Sequence, residues 1–228
     1  MRHPLTLLTA EVPAIRLQPG RTCLILQDVH NPLADTDDGA LARRAREKVL
    51  IREFDEYFDM FKLVSGNFGV LAGACRQSGI DVVYVSLGIP PGKRASAFQR
   101  ATGWNWQVDG PDWGFQEPWR PAEGDREFTK PGWGAPGSPV FMAYLLDSEI
   151  QSAIVAGTMY DYGIRETCYQ LADHGIASLV ASDAVVALTH AGQAHTSGNL
   201  AHGLTKLRST AEILDLLETM RNEGQVLV

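Results

Sequence analysis

The feature that most constrains the fold is the alternation of short strand-like runs with segments of helical periodicity. Runs bounded by turn residues predict strands at Thr22–Gln27, Asp81–Leu87, Arg126–Lys130, Ser152–Ala156, Ala177–Ser182 and Thr205–Leu207. Helical patterns lie between them, at about Glu47–Ser78, Val140–Asp147, Tyr160–Asp173, Ala191–His202 and Ser209–Met220. This alternation predicts a three-layer α/β/α fold, with a mainly parallel sheet of about six strands and helices on both faces.

Length and charge narrow the class of protein. The 228 residues suit one domain, for which we assign residues 1–228, with 1–19 as an N-terminal extension. A net charge of −7 without a basic run argues against nucleic-acid binding. No apolar stretch approaches the roughly 20 residues of a membrane helix, and no secretory signal is evident. The three widely spaced cysteines are typical of buried thiols. We therefore expect a cytoplasmic protein with no membrane partner.

Three polar features follow the ends of predicted strands, where parallel sheets bind ligands. Asp28 comes directly after the first strand, Lys130 ends the third, and the turn at residues 157–163 (GTMYDYG) joins the fourth to a helix. A partly desolvated carboxyl group can act as an acid or base, and a lysine can hold a developing anion. Backbone amides at a helix start can cradle an oxyanion. Each feature also has an ordinary alternative: a capping carboxylate, a solvated lysine or a simple turn.

Together these features resemble the isochorismatase-like cysteine hydrolases. Members of that family have an aspartate after the first strand, a lysine after the third, and a G-x-x-T-D-x-C-V-x-x-T turn after the fourth. The matching stretches here are CLILQDVHN, REFTKPGWG and VAGTMYDYGIRET, with Asp161, Arg165 and Thr167 in the motif's places. The resemblance covers about residues 20–220. It implies the family's Rossmann-type topology, a small-molecule substrate, and assembly into a homodimer or homotetramer.

The chain departs from the family at the nucleophile. Gly163 stands where the motif has its cysteine, and Cys168 lies five residues further on. That is more than one helical turn away, so we expect Cys168 to pack against the sheet. Without a thiolate the acyl-enzyme route is closed. Asp28, Lys130 and Gly163 are then the predicted catalytic positions for direct attack by water or for protonation of the substrate.

The family pattern also bears on the substrate, the backbone and cofactors. True isochorismatases resemble this chain in lacking the cysteine, but their turn reads Y-A-H-x-G instead of M-Y-D-Y-G, so no substrate is assigned. The resemblance implies a cis peptide bond at Thr158–Met159, with the amides of Met159 and Gly163 as oxyanion donors.

Some members of the family bind a metal through an aspartate and histidines, but here no histidine closely follows His30. Because nucleotide motifs are missing as well, we predict no metal and no other cofactor.

The segment 88–124 is rich in glycine, proline and tryptophan and has little periodicity. Its aromatic residues predict either a lid over the strand tips or a subunit interface. They are Phe98, Trp104, Trp106, Trp113, Phe115 and Trp119. The predicted substrate contacts are side chains near the three anchor positions. They are His30, Asn31, Trp104, Trp106, Tyr160 and Tyr162.

Two hypotheses of different class follow. In the first, the protein hydrolyses a small organic molecule, cyclic or aromatic in character, with Asp28 and Lys130 as acid–base and oxyanion groups. In the second, it is a degenerate member that binds a small ligand or a protein partner without chemistry. The missing nucleophile favours the second hypothesis, whereas retention of both Asp28 and Lys130 favours the first.

Overall fold

The computed structural model describes residues 14–48, 51–201 and 205–228. The strands are β1 (Arg16–Leu17), β2 (Thr22–Gln27), β3 (Asp81–Leu87), β4 (Arg126–Lys130), β5 (Ser152–Thr158), β6 (Ala177–Val186), β7 (Thr205–Arg208) and β8 (Val226–Leu227). The α-helices are α1 (Asn31–Ala34), α2 (Ala40–Glu47), α3 (Asp55–Val64), α4 (Gly66–Gln77), α5 (Ala97–Thr102), α6 (Pro139–Asp147), α7 (Arg165–Asp173), α8 (His190–Leu200) and α9 (Thr210–Glu223). Within these residues, no helix is long and apolar enough to cross a membrane.

Six strands form one parallel sheet in the order β4-β3-β2-β5-β6-β7. Strand β2 lies between β3 and β5, so the chain winds outward on one side of β2 and then returns to wind outward on the other. Such a reversal opens a crevice at the carboxyl ends of the strands. A separate antiparallel pair joins β1, from the predicted N-terminal extension, to β8.

Helices cover both faces of the sheet, which confirms the predicted three-layer architecture. One apolar cluster packs α3, α4 and α9 against Leu24 and Leu26 of β2. The other packs α6, α7 and α8 against Cys23 and Ile25 of the same strand. Successive side chains of a strand point to opposite faces, so a strand covered on both faces is apolar throughout. For this reason the run TCLILQ shows no alternation.

The predicted boundaries differ from the structure in several places, of which three are the most informative. The helical stretch 47–78 is not continuous: a 3-10 turn (Ile51–Phe54) precedes α3, and Ser65 separates α3 from α4. Residues such as Ser65 and Gly66 have low helix propensity, which favours a break there. Strand β6 reaches Val186 instead of Ser182. Helix α8 ends at Leu200, and the predicted end at His202 lies outside the described residues.

The segment 88–124 contains one helix that the sequence analysis missed. Helix α5 begins at a capping box in which Ser96 and Gln99 each accept a hydrogen bond from the other's backbone N–H. It ends at Gly103, whose φ of 72° suits glycine. The S-x-x-Q spacing is a helix-start signal that was available in the sequence. The predicted capping box of the last helix, between Ser209 and Glu212, is confirmed.

Candidate active site

The candidate site lies at the carboxyl end of β2, where the direction of winding reverses. Asp28 follows β2, Lys130 ends β4, and the turn after β5 brings Gly163 beside them. Strands β3 and β5 flank β2, and β4 lies beyond β3. The carboxyl ends of these four parallel strands therefore lie at the same edge of the sheet. The structure therefore brings together the three positions that the sequence analysis singled out.

Asp28 and Lys130 form a buried ion pair. The ammonium Nζ of Lys130 is 2.8 Å from Oδ2 of Asp28, and the two side chains are 1% and 5% exposed. The other carboxylate oxygen, Oδ1, accepts a 2.7 Å hydrogen bond from the backbone N–H of Leu87. Lys130 also donates to the carbonyl oxygen of Gly132 at 2.8 Å. Asp28 has a φ of 54°, a left-handed conformation that aspartate adopts more readily than most residues.

Burial and pairing act in opposite directions on this pair. Burial raises the pKa of the Asp28 carboxyl, and the Lys130 ammonium partly offsets that rise. Burial likewise lowers the pKa of Lys130, and the Asp28 carboxylate partly offsets that fall. Desolvation therefore brings the proton affinities of the two groups closer together than in water. A carboxyl group with a raised pKa is suited to exchange protons with a substrate.

His30 lies just beyond Asp28 and is fully buried. Its Nε2 is 3.1 Å from the carbonyl oxygen of Leu87, which fixes that nitrogen as the protonated donor. Its Nδ1 has no hydrogen-bond partner within the described residues. The ring packs against Trp113 and Trp106, with centroids 4.9 and 5.6 Å apart. Burial, and then the nearby Lys130 charge, lowers the pKa of His30 to about 3, so the imidazole is neutral.

This neutral histidine predicts a pH-dependent stability. The pKa of His30 falls from 6.5 to about 3 on folding, so in that window the unfolded chain binds a proton that the folded chain does not. The free energy of unfolding should therefore decrease as pH falls, by up to about 1.4 kcal/mol per pH unit from this residue. Urea unfolding at about pH 7 and about pH 5 measures it. A His30→Gln variant should lose this part of the slope, and an unchanged slope would contradict the assignment.

The turn after β5 approaches the site closely. Gly157 has a φ of 119°, and a Cβ atom there would lie 2.1 Å from the carbonyl oxygen of Gln27, so only glycine fits. The Thr158–Met159 peptide bond is cis, as the resemblance implies. Both carboxylate oxygens of Asp161, the motif aspartate, accept from the backbone N–H of Leu188, at 3.2 and 3.4 Å. Its role in these contacts is to hold the loop after β6.

Gln27 is a site residue that the sequence analysis missed. Its side chain is fully buried, with Nε2 donating to the carbonyl oxygen of Trp133 at 3.2 Å. Its Oε1 accepts a 2.6 Å hydrogen bond from the hydroxyl of Thr167, which in turn accepts from the backbone N–H of Ala135 at 2.8 Å. A polar residue closing an apolar strand was the one available signal. The motif threonine thus holds Gln27 next to Asp28.

Aromatic side chains pack side by side above the strand tips. We call the set Trp104, Trp106, Trp133, Tyr162 and Phe98 the aromatic cluster. Trp104 stacks on Trp106 at a centroid distance of 5.7 Å, and Trp133 stacks on Tyr162 at 5.0 Å. The sequence analysis did not include Trp133, which lies outside the segment 88–124. Trp106 touches His30, so the cluster is continuous with the surroundings of Asp28.

Two aromatic residues of the segment 88–124 lie outside the aromatic cluster. Trp119 is 4% exposed and belongs to the core: its indole N–H donates to the carbonyl oxygen of Val29 at 2.9 Å, and its ring packs on Phe61 and Phe68. Phe115 packs on Tyr84 at 5.2 Å. Trp119 therefore belongs to the core, which an irregular segment without periodicity does not reveal, whereas the choice between a lid and a subunit interface for the segment 88–124 stays a prediction.

Two predicted substrate contacts lie in different surroundings. Tyr160 is buried in the cluster that packs α6, α7 and α8, and its hydroxyl is 3.2 Å from that of Ser197. Asn31 lines an open cavity of about 550 Å³ together with Trp113 and Arg120. The burial of Tyr160 argues against a substrate contact there, whereas Asn31 stays a predicted contact, because its cavity is also lined by Trp113, which packs on His30. Met159 packs in the apolar cluster on one face of the sheet, and Tyr160, the next residue, packs in the cluster on the other face.

The thiols lie away from the ion pair. Cys168 is fully buried in the core beneath α7, as predicted, and burial raises the pKa of its thiol to about 11. Cys23 and Cys75 are buried as well. In the described part of the chain, no group of three histidine, cysteine, aspartate or glutamate side chains is placed to hold a metal ion. The predicted independence from cofactors stays a prediction.

Comparisons with known proteins support a family assignment. The family model described as the Isochorismatase domain matches residues 22–212. The fold is similar to that of a cysteine hydrolase from Pseudomonas syringae pv. phaseolicola 1448A, with a TM-score of 0.76 and 17% identity over 92% of this chain and 99% of that one. Comparison with curated proteins gives no match.

Two further solved structures share the fold. An isochorismatase from Pseudomonas putida KT2440 has a TM-score of 0.66 and 17% identity, over 93% of this chain and 99% of that one. A pyrazinamidase/nicotinamidase from Streptococcus mutans UA159 has a TM-score of 0.65 and 14% identity, over 82% and 99%. At these identities the likeness concerns the fold.

Proposed function

This chain belongs to the isochorismatase family, and from that premise we propose that it hydrolyses a small organic molecule by acid–base catalysis without a covalent cysteine intermediate. The observation that carries the proposal is the buried contact of 2.8 Å between Lys130 and Asp28, with Gly163 beside it. A hydrolase that lacks a nucleophilic side chain needs a proton-transfer group and a charge that stabilises its ionised form. The ion pair supplies both.

Each group has a role in the proposed reaction. At a C–N bond, Asp28 accepts a proton from water as the water oxygen bonds to the carbonyl carbon, and it returns that proton to the leaving nitrogen. At a vinyl ether, protonated Asp28 first donates its proton to the terminal alkene carbon, water then adds to the oxocarbenium carbon and gives a proton back to Asp28, and the hemiketal breaks down to a carbonyl compound and an alcohol. Substrate and water then give two products with no group left on the protein. The positive charge of Lys130 stabilises the ionised carboxylate of Asp28 and the negative charge that develops on the substrate. The amides of Met159 and Gly163 are the proposed oxyanion donors.

The surroundings favour an apolar, planar substrate. The aromatic cluster offers stacking surfaces through Trp104, Trp106 and Tyr162, and the neutral His30 offers the free acceptor Nδ1. Because Asp28 is only 4% exposed, the proposal requires aromatic side chains to move aside when substrate enters. The classes of bond that fit are vinyl ethers and C–N bonds. Assembly into a homodimer or homotetramer stays a prediction.

A turnover screen with a thiol reagent tests the proposal. The protein is incubated with vinyl ethers, amides and carbamates carrying aromatic groups, and the products are separated by chromatography. We expect hydrolysis in at least one class, at a rate unchanged by prior treatment with iodoacetamide, because Cys23, Cys75 and Cys168 are buried. Ligands that bind but are recovered intact would favour the degenerate binding protein instead. Inactivation by the reagent would contradict the mechanism.

A further inference from the structure

The structure shows what occupies the space where a side chain at position 163 would stand. A Cβ atom built on Gly163 would lie 2.5 Å from Nε2 of Gln27, 3.1 Å from the carbonyl oxygen of Trp133 and 3.7 Å from Oδ2 of Asp28. Non-bonded carbon and nitrogen atoms normally stay well over 3 Å apart, so the first contact is a clash. The carboxamide of Gln27 therefore fills the volume next to Asp28 that a side chain at 163 would need.

Gln27 is not free to move aside. The hydroxyl of Thr167 donates to its Oε1 at 2.6 Å, and its Nε2 donates to the carbonyl oxygen of Trp133 at 3.2 Å. The side chain is fully buried, so swinging it away would break both bonds with no water to replace them. An amide nitrogen carries two N–H donors, and only one is used by Trp133. The second N–H has no acceptor among the described hydrogen bonds, and the nearest carboxylate oxygen at this position is Oδ2 of Asp28, since both atoms border the Cβ position of residue 163.

We propose that Gln27 is a positioning residue of the site: its carboxamide excludes any side chain at position 163 and donates a hydrogen bond that keeps the carboxylate of Asp28 in place. In this arrangement the carboxamide of Gln27 occupies the space that a cysteine side chain at residue 163 would need. A single substitution at residue 163 therefore cannot restore a nucleophile. The role in positioning Asp28 rests on the proposed function, whereas the exclusion of a side chain does not. Gln27 also acts to lower the pKa of Asp28, against the larger effect of burial.

A double-mutant cycle tests the exclusion. Gly163→Ala should lower the Tm by roughly 3–10 °C, as overpacking does in a chain of this size. In a Gln27→Ala background the same added methyl group should lower the Tm by less than half as much. Gly73→Ala is the matched control, because a Cβ at this helical glycine meets no atom within 4 Å. Equal losses at position 163 in both backgrounds would overturn the exclusion.

A carboxyl titration tests the positioning. The ¹³C signal of the Asp28 carboxyl is followed against pH in the wild type and in Gln27→Met, which keeps the bulk but removes both donors. The charged and titratable groups that face Asp28 are Lys130, His30 and Tyr57, and none of them is altered. We expect the midpoint of Asp28 to rise in Gln27→Met, because the lost donor had stabilised the ionised form.

The control for the titration is Gln193→Met. Gln193 also holds two backbone groups with its carboxamide, at Ala187 and Val185, away from the ion pair. The Gln193→Met substitution should leave the titration midpoint of Asp28 unchanged.

If Gln27→Met fails to fold, Gln27→Asn is the second variant. Its shorter side chain keeps the amide but moves it away from Asp28, and the same rise in the midpoint is expected. An unchanged midpoint in a folded Gln27 variant would reduce Gln27 to a packing residue. Neither experiment needs a substrate, so a failed turnover screen leaves both informative.

Discussion

Replacing Asp28 with asparagine should lower kcat/KM by roughly 10²–10⁴-fold on whichever substrate the screen identifies, the range that a positioned acid–base group contributes. Asparagine keeps the shape of the side chain, and its single oxygen can still accept from either the N–H of Leu87 or Lys130. It cannot exchange a proton in the working pH range. The change should therefore appear in turnover, while the circular dichroism spectrum stays that of the wild type.

The matched control is the same substitution at Asp161. This carboxylate accepts from the backbone N–H of Leu188 and does not contact Lys130. Asp161→Asn should retain activity within a few-fold of the wild type, since an asparagine oxygen can accept the same hydrogen bond. Full activity in Asp28→Asn would refute the proposed role of the carboxyl group. An equal loss in the two variants would point to a general structural effect.

Lys130→Met should lower the free energy of unfolding by roughly 3–5 kcal/mol, because it leaves the carboxylate of Asp28 buried without a cation. The double variant Asp28→Asn, Lys130→Met should regain most of that stability, since it removes the uncompensated charge. Urea unfolding near pH 7 measures both. Lys62→Met is the control: Lys62 is 58% exposed and lies 3.7 Å from Asp37, so its loss should change stability by less than about 1 kcal/mol.

The pH dependence of Lys130→Met has a definite sign. Burial already raises the pKa of Asp28, and loss of the ammonium removes the largest effect that lowers it. A folded-state pKa above the unfolded one favours the protonated form, so the variant is relatively stable at low pH and loses stability as pH rises towards the folded pKa. The deficit against the wild type should therefore be smaller near pH 5 than near pH 8. A deficit that grows on acidification would show that Asp28 is not the unpaired group.

The parts of this protein that were predictable from its sequence are those encoded over a few neighbouring residues. Apolar runs such as TCLILQ and DVVYVSL form strands because β-branched and aliphatic side chains suit a sheet that is buried on both faces. The rule for parallel sheets then places Asp28, Lys130 and the turn at 157–163 at one edge without knowledge of coordinates. The fold and the three anchor positions of the site follow from such local signals.

Contacts between residues far apart in the chain were decided only by the tertiary structure. Gln27 and Gly163 are separated by more than a hundred residues, so nothing local indicates that an amide fills the space beside that glycine. Likewise, Trp119 enters the core while Trp104 joins the aromatic cluster, although both come from one irregular segment. Loop side chains lack a repeat that assigns them to a face, and their orientation depends on the shape of the cavities that other elements leave. Long-range packing, which single-sequence patterns do not record, therefore determined the chemistry around the ion pair.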